Sequence, residues 1–237
     1  METKAGDVVD DAWNKARAVK PFSAVQNGGV LQGLKEAMRV RRLYKRDVLV
    51  LQGEEPRLVY LLLDGAVQAF TEHNSKTAVC EVALAPVLLP LEATLSGGAS
   101  LHTWETLLPA VACSFPIEVF TAGCERDATF ALAVAQQIAL QHRNARRALL
   151  SERLRTTNER LANWLLQEHR KHHGGPITIL TKKNVLASQL GMAPENLSRS
   201  LLLLSNYGVR SEGQHVYVYN EEELEKFARP NVLLDGS

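Results

Sequence analysis

A short segment in the last quarter of the chain combines polar side chains whose types and spacing suit contacts with DNA bases. Glu195, Ser198 and Arg199 lie at positions i, i+3 and i+4, so a helix would carry them on one face. These residue types form hydrogen bonds with base edges in the major groove. The spacing therefore predicts a DNA-reading face, although the solvated side of an ordinary helix pair would show the same pattern.

The residues around this face predict two short helices joined by a tight turn. Ala187 is small where the two helix axes would cross, and Gly191 can adopt the positive φ that ends the first helix. Pro194 suits the first turn of the second helix, where its missing N–H would have had no partner. The apolar back of the second helix would be formed by Leu197, Leu201 and Leu204.

The segment that follows predicts a β-hairpin, which would make the motif a winged helix-turn-helix. Residues 207–210 and 215–219 are typical of strands, and the turn between them contains Gly213. Asn220 would cap a further short helix, and the tail beyond Pro230 is expected to be loosely ordered. The residues predicted to contact DNA are Lys182, Lys183, Glu195, Asn196, Ser198 and Arg199.

Composition limits the class of protein without deciding it. The 237 residues are 46% hydrophobic and 22% charged with a formal net charge of +1, so the basic residues that phosphates would require must be concentrated locally. We find no apolar run of about 18 residues and no signal-peptide pattern. The three scattered cysteines argue against a disulfide framework. We therefore expect a cytoplasmic protein without membrane contact.

The first half of the chain predicts a β-domain. Residues 12–42 suggest short helices around a break at Gly28-Gly29. Residues 43–120 are short strand-like runs separated by turns, which is typical of a small β-barrel or double-sheet roll.

A long helix is predicted for residues 125–153, which contain no glycine or proline. Its small apolar residues recur at intervals that suit a partner helix, and a second copy of the chain is the simplest partner. The predicted interface residues are Ala131, Val134, Ile138 and Ala145. A capping box at residues 156–159 would start the next helix, so the expected domains are 1–124, 125–155 and 156–237.

A barrel, a long helix and a winged helix-turn-helix, in this order, resemble the cyclic-AMP receptor protein / fumarate-nitrate reductase regulator superfamily over residues 22–227. Gly53-Glu54 and Asp64-Gly65 look like conserved turn elements of its barrel. Pro194-Glu195-x-x-Ser198-Arg199 is similar to the pattern of the nitric-oxide-responsive branch, the dissimilatory nitrate respiration regulators.

This resemblance implies a fold and a function. The fold would be α+β: a cyclic-nucleotide-binding-like β-barrel (double-stranded β-helix), a dimerisation helix and the DNA-binding domain. The protein would be a homodimeric transcription regulator and not an enzyme, with TTGAT-like palindromes in double-stranded DNA and RNA polymerase as partners. Arg199 would read a guanine, Glu195 a cytosine amine and Ser198 a neighbouring base, with thymine the expected one.

The barrel departs from the cyclic-AMP pattern of the superfamily. Members that bind cyclic AMP use a glutamate followed by an arginine-serine or arginine-threonine pair. Glu92 can stand in for the glutamate, but the pair falls on Ser100-Leu101, so a cyclic phosphate would lose its main compensating charge. Residues 1–79 contain no cysteine, which disfavours an iron-sulfur cluster. The candidate residues of the effector pocket are Glu92, Ser100, His102 and Trp104.

Several signals stay open after this comparison. Haem is one, with His102 as the candidate ligand, although a packed strand histidine would look the same. Thiol oxidation at Cys124 is another, because we expect this residue at a helix N-terminus, which lowers a thiol pKa. A third is a regulator without any small ligand. A barrel-type metalloenzyme is disfavoured because the barrel carries only His73 and His102 and lacks a His-x-His pair.

Overall fold

A computed structural model describes residues 5–179 and 183–235 of the chain. The chain divides into two compact units, Met1–Gln141 and His142–Ser237, which we describe separately. Among the helices of these residues, none combines the length and the hydrophobicity that a membrane span requires.

The N-terminal unit contains helices before, within and after a set of eight strands. Its helices are α1 (Ala5–Ala18), α2 (Gly28–Ala37), α3 (Leu91–Ser96), α4 (Ile117–Arg126) and α5 (Ala128–Leu154), the last of which continues past the unit boundary. Its strands are β1 (Arg39–Leu43), β2 (Val48–Val50), β3 (Leu58–Asp64), β4 (Ala66–His73), β5 (Lys76–Leu84), β6 (Val87–Leu89), β7 (Thr103–Thr106) and β8 (Ala110–Pro116).

These strands form two four-stranded antiparallel sheets, in the orders β1-β8-β3-β6 and β2-β7-β4-β5. Side chains from both sheets share one apolar core, in which Tyr60 and Leu62 of the first sheet meet Val67 and Trp104 of the second. Gly65 makes the turn between β3 and β4 with φ +91°, and a Cβ there would lie 2.5 Å from the Pro109 carbonyl oxygen. The predicted double-sheet roll is therefore confirmed.

A second core joins the helices to the first sheet. Four phenylalanines form its centre, and the ring centroids of Phe22 and Phe115 are 4.9 Å apart while those of Phe120 and Phe130 are 5.3 Å apart. Stacked and edge-to-face arrangements of this kind stabilise aromatic pairs beyond their buried area. This core orients the first turns of α5 against the sheet.

The glycine pair in the N-terminal region does not break a helix as the sequence suggested. Gly28 is the first residue of α2, and the side chain of Asn27 caps this helix by accepting hydrogen bonds from the backbone N–H groups of Gly29 and Val30. The cap satisfies donors that a helix start leaves unpaired, so the glycines lie at the beginning of the helix.

The long helix starts later than predicted because Asp127 separates α4 from α5. One carboxylate oxygen of Asp127 caps α5 by accepting from the N–H groups of Thr129 and Phe130. The other oxygen accepts from the N–H groups of Gln26 and Asn27, both at 2.7 Å. The prediction of one continuous helix over residues 125–153 was wrong at its N-terminus, since the partners of Asp127 lie about 100 residues earlier in the chain.

The C-terminal unit contains α6 (Thr157–Lys171), β9 (Ile177–Thr178), α7 (Lys183–Gln189), α8 (Pro194–Leu204), β10 (Val209–Glu212), β11 (His215–Val218), α9 (Glu221–Ala228) and α10 (Val232–Asp235). Its three strands pair in the order β10-β11-β9. Thr156 and Glu159 form the predicted capping box at the start of α6, and Asn220 caps α9 as expected. Leu161 and Leu165 of α6 are fully buried in the core of this unit.

Residues 231–235 form a short helix with side-chain contacts, contrary to the expectation of a loosely ordered tail. Asn231 caps the short helix α10, and Asp235 at its end forms two hydrogen bonds with the guanidinium of Arg155, at 2.5 and 2.7 Å. Arg147 also donates to the Leu233 carbonyl oxygen at 2.9 Å. A paired arginine and carboxylate of this geometry hold the tail against the end of α5, which a local sequence pattern could not indicate.

We predict that Asp127→Asn removes a pH-dependent part of the stability of the N-terminal unit. The hydrogen bonds from Thr129, then those from the backbone of Asn27 and Phe130, hold the pKa of Asp127 well below its usual value of 3.8. Ionised Asp127 therefore stabilises the folded state at pH values above the pKa of the same group in the unfolded chain. This contribution to the free energy of unfolding is lost as the pH falls below 3.8 toward the pKa of the folded state. Thermal unfolding between pH 7 and pH 3 should show the largest difference between the two proteins above about pH 5. A difference that stays constant over this range would contradict the assignment.

Candidate nucleic-acid interface

Helices α7 and α8 form the predicted helix-turn-helix. Ala187 is completely buried at the end of α7, and Gly191 in the turn has φ +62°. The Met192 N–H returns to the Ala187 carbonyl oxygen at 2.9 Å, which closes the turn. The small residue and the glycine therefore occupy the positions for which their properties are needed.

Helix α8 has one apolar and one polar side. Its apolar side is buried in the core of the C-terminal unit through Leu197, Leu201 and Leu204. Its polar side is exposed and carries Glu195, Asn196, Ser198 and Arg199. The geometry thus places four of the predicted DNA contacts on the exposed side of one helix. Lys183 is also exposed, at the start of α7, whereas Lys182 lies outside the described residues.

Arg160 of α6 fixes the turn between these helices, a role that no local sequence pattern indicated. Its Nε donates to the Leu190 carbonyl oxygen at 2.7 Å, and one terminal nitrogen donates to Gly191 at 2.9 Å. The other terminal nitrogen donates to the carbonyl oxygens of Arg155 at 2.8 Å and Glu152 at 3.3 Å. One planar guanidinium therefore joins the end of α5 to the helix-turn-helix.

A second contact of α6 holds α8 itself. The hydroxyl of Ser200 is buried and donates to Oδ1 of Asn158 at 2.6 Å. Together with the buried leucines, this hydrogen bond fixes the rotation of α8 about its axis, so that the polar side faces outward.

The hairpin behind α8 is present with shifted boundaries. Strands β10 and β11 pair in antiparallel fashion from Val209↔Val218 to Glu212↔His215. Residues 205–207, part of which we predicted as strand, form a 3-10 turn instead, because they continue directly from α8.

Comparison with known proteins identifies this domain. Residues 159–227 match the family model of the Crp-like helix-turn-helix domain. The C-terminal unit therefore contains a region similar to the Crp-like helix-turn-helix domain. The match agrees with the expectation that the chain is a regulator and not an enzyme, since the helix-turn-helix is a DNA-binding module.

Solved structures of low sequence identity share the fold over most of the chain. FixK2 from Bradyrhizobium japonicum is 18% identical with a TM-score of 0.70, and the match covers 80% of this chain and 96% of that one. A CooA mutant from Carboxydothermus hydrogenoformans is 14% identical with a TM-score of 0.72, covering 90% and 94%. A transcriptional regulator of the CRP family from Thermus thermophilus is 21% identical with a TM-score of 0.65, covering 80% and 97%. No curated protein matches the chain in sequence.

The candidate effector residues of the N-terminal unit lie around the β4-β7 strand pair. Nδ1 of His102 lies 2.7 Å from the hydroxyl oxygen of Thr71. Burial lowers the pKa of His102, while the nearby carboxylate of Glu92 acts in the opposite direction. Trp104 is buried, and its indole N–H finds no hydrogen-bond partner among the residues that the structure describes.

Glu81 is a member of this group that the sequence did not suggest. Ala69 of β4 pairs with Glu81 on one side and with Trp104 on the other, so these three residues point to the same face of the sheet. Burial raises the pKa of Glu81, and the negative charge of Glu92 raises it further. The charge of Glu92 therefore acts on both Glu81 and His102.

The hydroxyl of Ser100 is occupied within the protein. It donates to the His102 carbonyl oxygen at 2.8 Å, while the Ser100 backbone bonds with Gly53 and Glu54. Ser100 therefore ties its own loop to the Gly53-Glu54 turn.

The expected pKa of Cys124 was wrong. Because α5 begins only at Ala128, Cys124 lies near the end of α4 instead of ahead of a helix N-terminus. Burial, followed by the charge of Glu125, raises the pKa of this thiol to about 11. A thiol with such a pKa is a poor nucleophile at neutral pH.

The predicted dimer interface on α5 also requires correction. Val134 is buried in the core of its own unit, and Ile138 packs against this core. Ala131 is half-buried and Ala145 is exposed. The opposite side of the helix carries exposed leucines instead, with Leu132 at 59% and Leu140 at 51% exposure. Two of the four predicted interface residues, Val134 and Ile138, therefore pack in the core of their own unit.

We predict that Gly191→Ala destabilises the Crp-like domain more than Gly213→Ala. Both glycines have φ +62°, so alanine should cost about 1–2 kcal/mol of left-handed strain at either position. A Cβ at Gly191 would additionally lie 3.0 Å from a Glu152 carboxylate oxygen and 3.3 Å from Arg160, whereas Gly213 has open space around it. Urea unfolding followed by circular dichroism measures the difference. Equal losses in the two variants would show that the close approach at Gly191 is unimportant.

Proposed function

We propose that this protein is a cytoplasmic, homodimeric transcription regulator that binds a palindrome with TTGAT-like half-sites. The supporting observation is the exposed Glu195/Ser198/Arg199 face on a helix whose other side is buried in a Crp-like domain. Arg199 would donate two hydrogen bonds to a guanine, and Glu195 would accept one from a cytosine amine. Ser198 and Asn196 would contact neighbouring groups, and RNA polymerase would be the partner on the promoter.

Lysines at the start of the motif would supply contacts of a different kind. Lys183 is exposed at the start of α7, the helix before the DNA-reading helix, where we expect a contact with a DNA phosphate. We propose the same role for Lys182. Such contacts neutralise backbone charge, which strengthens binding without reading the base sequence.

We propose the exposed side of α5 as the dimer interface, with a second copy of the chain as its occupant. Leu132, Ala135 and Ala139 are exposed at intervals of three and four residues, and Leu140 lies beside them. Exposed apolar residues at this spacing form the stripe by which two parallel helices pack. A two-fold dimer would present two copies of α8 to half-sites about one turn of DNA apart.

We expect Arg199→Ala to cost roughly 1–3 kcal/mol of binding and to relax the preference for guanine at one position of each half-site, because a bidentate base contact is lost. Lys183→Ala is the matched comparison. It should weaken binding to all sequences about equally and reduce the salt dependence, as the loss of a phosphate contact does.

Competition between matched and guanine-substituted duplexes separates these two effects. The ratio of the two affinities should fall toward one in Arg199→Ala and stay at its wild-type value in Lys183→Ala. An unchanged ratio in Arg199→Ala would refute the assignment of the DNA-reading face.

We expect the double variant Leu132→Glu/Leu140→Glu to be monomeric at micromolar concentration, because two charges would be buried without partners in the helix pair. Leu84→Glu is a suitable control, since Leu84 is 55% exposed and belongs to β5 and not to α5. Sedimentation velocity should find dimers for the wild type and this control. A monomeric wild type, or a dimeric double variant, would contradict the interface.

We propose a signal other than cyclic AMP for the N-terminal unit. The carboxylates of Glu81 and Glu92 would repel a cyclic phosphate, so the part of a ligand that contacts them must be neutral or cationic. Haem with nitric oxide is the candidate that the resemblance suggests. His102 would be the residue that holds the haem iron, because burial lowers the pKa of the imidazole toward the neutral form and its contact with Thr71 orients the ring.

The fit to haem is partial, however. The two carboxylates would oppose the propionate groups of haem. Thiol control at Cys124 has lost its expected basis, and a regulator without a small ligand is the remaining alternative.

Two measurements decide among these signals. Protein from haem-replete cells should show a Soret band that His102→Ala shifts or abolishes if haem is bound; absence of the band in the wild type would refute haem. Calorimetric titration with cyclic AMP should give no saturable heat. Micromolar affinity for cyclic AMP would overturn the electrostatic argument.

A further inference from the structure

One apolar side chain lies on the polar side of α8. Leu202 follows Glu195 by seven positions, Ser198 by four and Arg199 by three, so it shares their face of the helix. It is 74% exposed, whereas the neighbouring Leu201 and Leu204 are buried. The DNA-reading face therefore ends in a leucine.

The fold does not require this leucine side chain. Leu202 belongs to none of the apolar cores, and its contribution to the structure is a carbonyl oxygen that accepts from the Ser205 hydroxyl at 2.6 Å. Any residue could supply that backbone oxygen. A large apolar side chain here is thus free to contact whatever the DNA-reading face contacts.

The major groove offers one apolar group, the 5-methyl of thymine. Leu202 lies one helical turn beyond Ser198 and Arg199, or about 5 Å along the helix axis. Successive base pairs are about 3.4 Å apart, so a residue one turn away reaches a base pair roughly one or two steps from the guanine.

We propose that Leu202 is a specificity residue that selects thymine by apolar contact with its 5-methyl group, one or two base pairs from the guanine that Arg199 contacts. This inference rests on the proposed DNA-reading face and adds a contact that involves no hydrogen bond. It explains a large exposed leucine at the end of a polar surface by the removal of both the leucine and the methyl group from water.

The experiment replaces each thymine of the binding site in turn by deoxyuridine, which lacks only the 5-methyl group and keeps the same base pairing. Wild-type protein should lose roughly fourfold in affinity at one position of each half-site, as expected for one buried methyl group. Leu202→Ala should bind the thymine and deoxyuridine duplexes equally at that position. It should retain the wild-type preference for guanine, since Arg199 is unchanged.

The matched control is Leu233→Ala. Leu233 is 76% exposed and lies on α10, so its truncation removes a similarly exposed leucine from the same unit but not from α8. The affinity of Leu233→Ala for the deoxyuridine duplex should fall by the same factor as the affinity of wild type.

Other outcomes overturn the inference. If no deoxyuridine substitution weakens wild-type binding while the guanine preference is intact, the leucine does not read thymine. The inference also fails if deoxyuridine weakens DNA binding by Leu202→Ala as much as it weakens binding by wild type. It fails as well if Leu202→Ala changes transcription by RNA polymerase but not the affinity for DNA. If the wild-type protein shows no preference for guanine, the DNA-reading face itself is refuted instead.

Discussion

The DNA-reading face depends on the guanidinium of Arg160. This one group binds the carbonyl oxygens of Leu190 and Gly191 in the turn and those at the end of α5. Carbonyl groups at helix ends and turns lack partners within their own helices, and a planar donor that satisfies four of them sets their relative positions. The direction in which α8 projects its polar side follows from this arrangement, and Gly191 is required because a side chain there would enter the same space.

The helix-turn-helix was predictable because its determinants are local. The buried leucines of α8, the glycine of the turn and the caps at Thr156 and Asn220 each act within a few residues of their partners. Period and residue type therefore carry the necessary information, as they do for the strands of the double-sheet roll. The role of Arg160 was not predicted, for the opposite reason. Its Nε donates to the backbone carbonyl oxygen of Leu190, which lies 30 residues later in the chain.

The errors have the same physical origin. An apolar stripe on a helix indicates that the stripe is buried but not what covers it. Val134 and Ile138 satisfied the pattern of a dimer helix, yet they pack on their own sheet. The start of α5 depends on hydrogen bonds from Gln26 and Asn27 to Asp127, contacts that only the folded chain creates. The displacement of that helix start also removed the basis for a reactive Cys124, so one long-range interaction accounts for two wrong expectations.

Charge makes different demands on the two functional regions. Reading DNA requires exposed cations near the bases and phosphates, and Arg199 and Lys183 meet this requirement. Near His102 the carboxylate of Glu92 acts on both His102 and Glu81, and this negative charge supports the proposal of a signal other than cyclic AMP. The backbone of Ser100 holds the Gly53-Glu54 turn, and its hydroxyl bonds with the His102 carbonyl oxygen, so contacts within the protein hold this part of the roll. A scaffold can therefore retain its sheets while the chemistry of its signal changes, since the residues that shape the roll and those that face a ligand are separate sets.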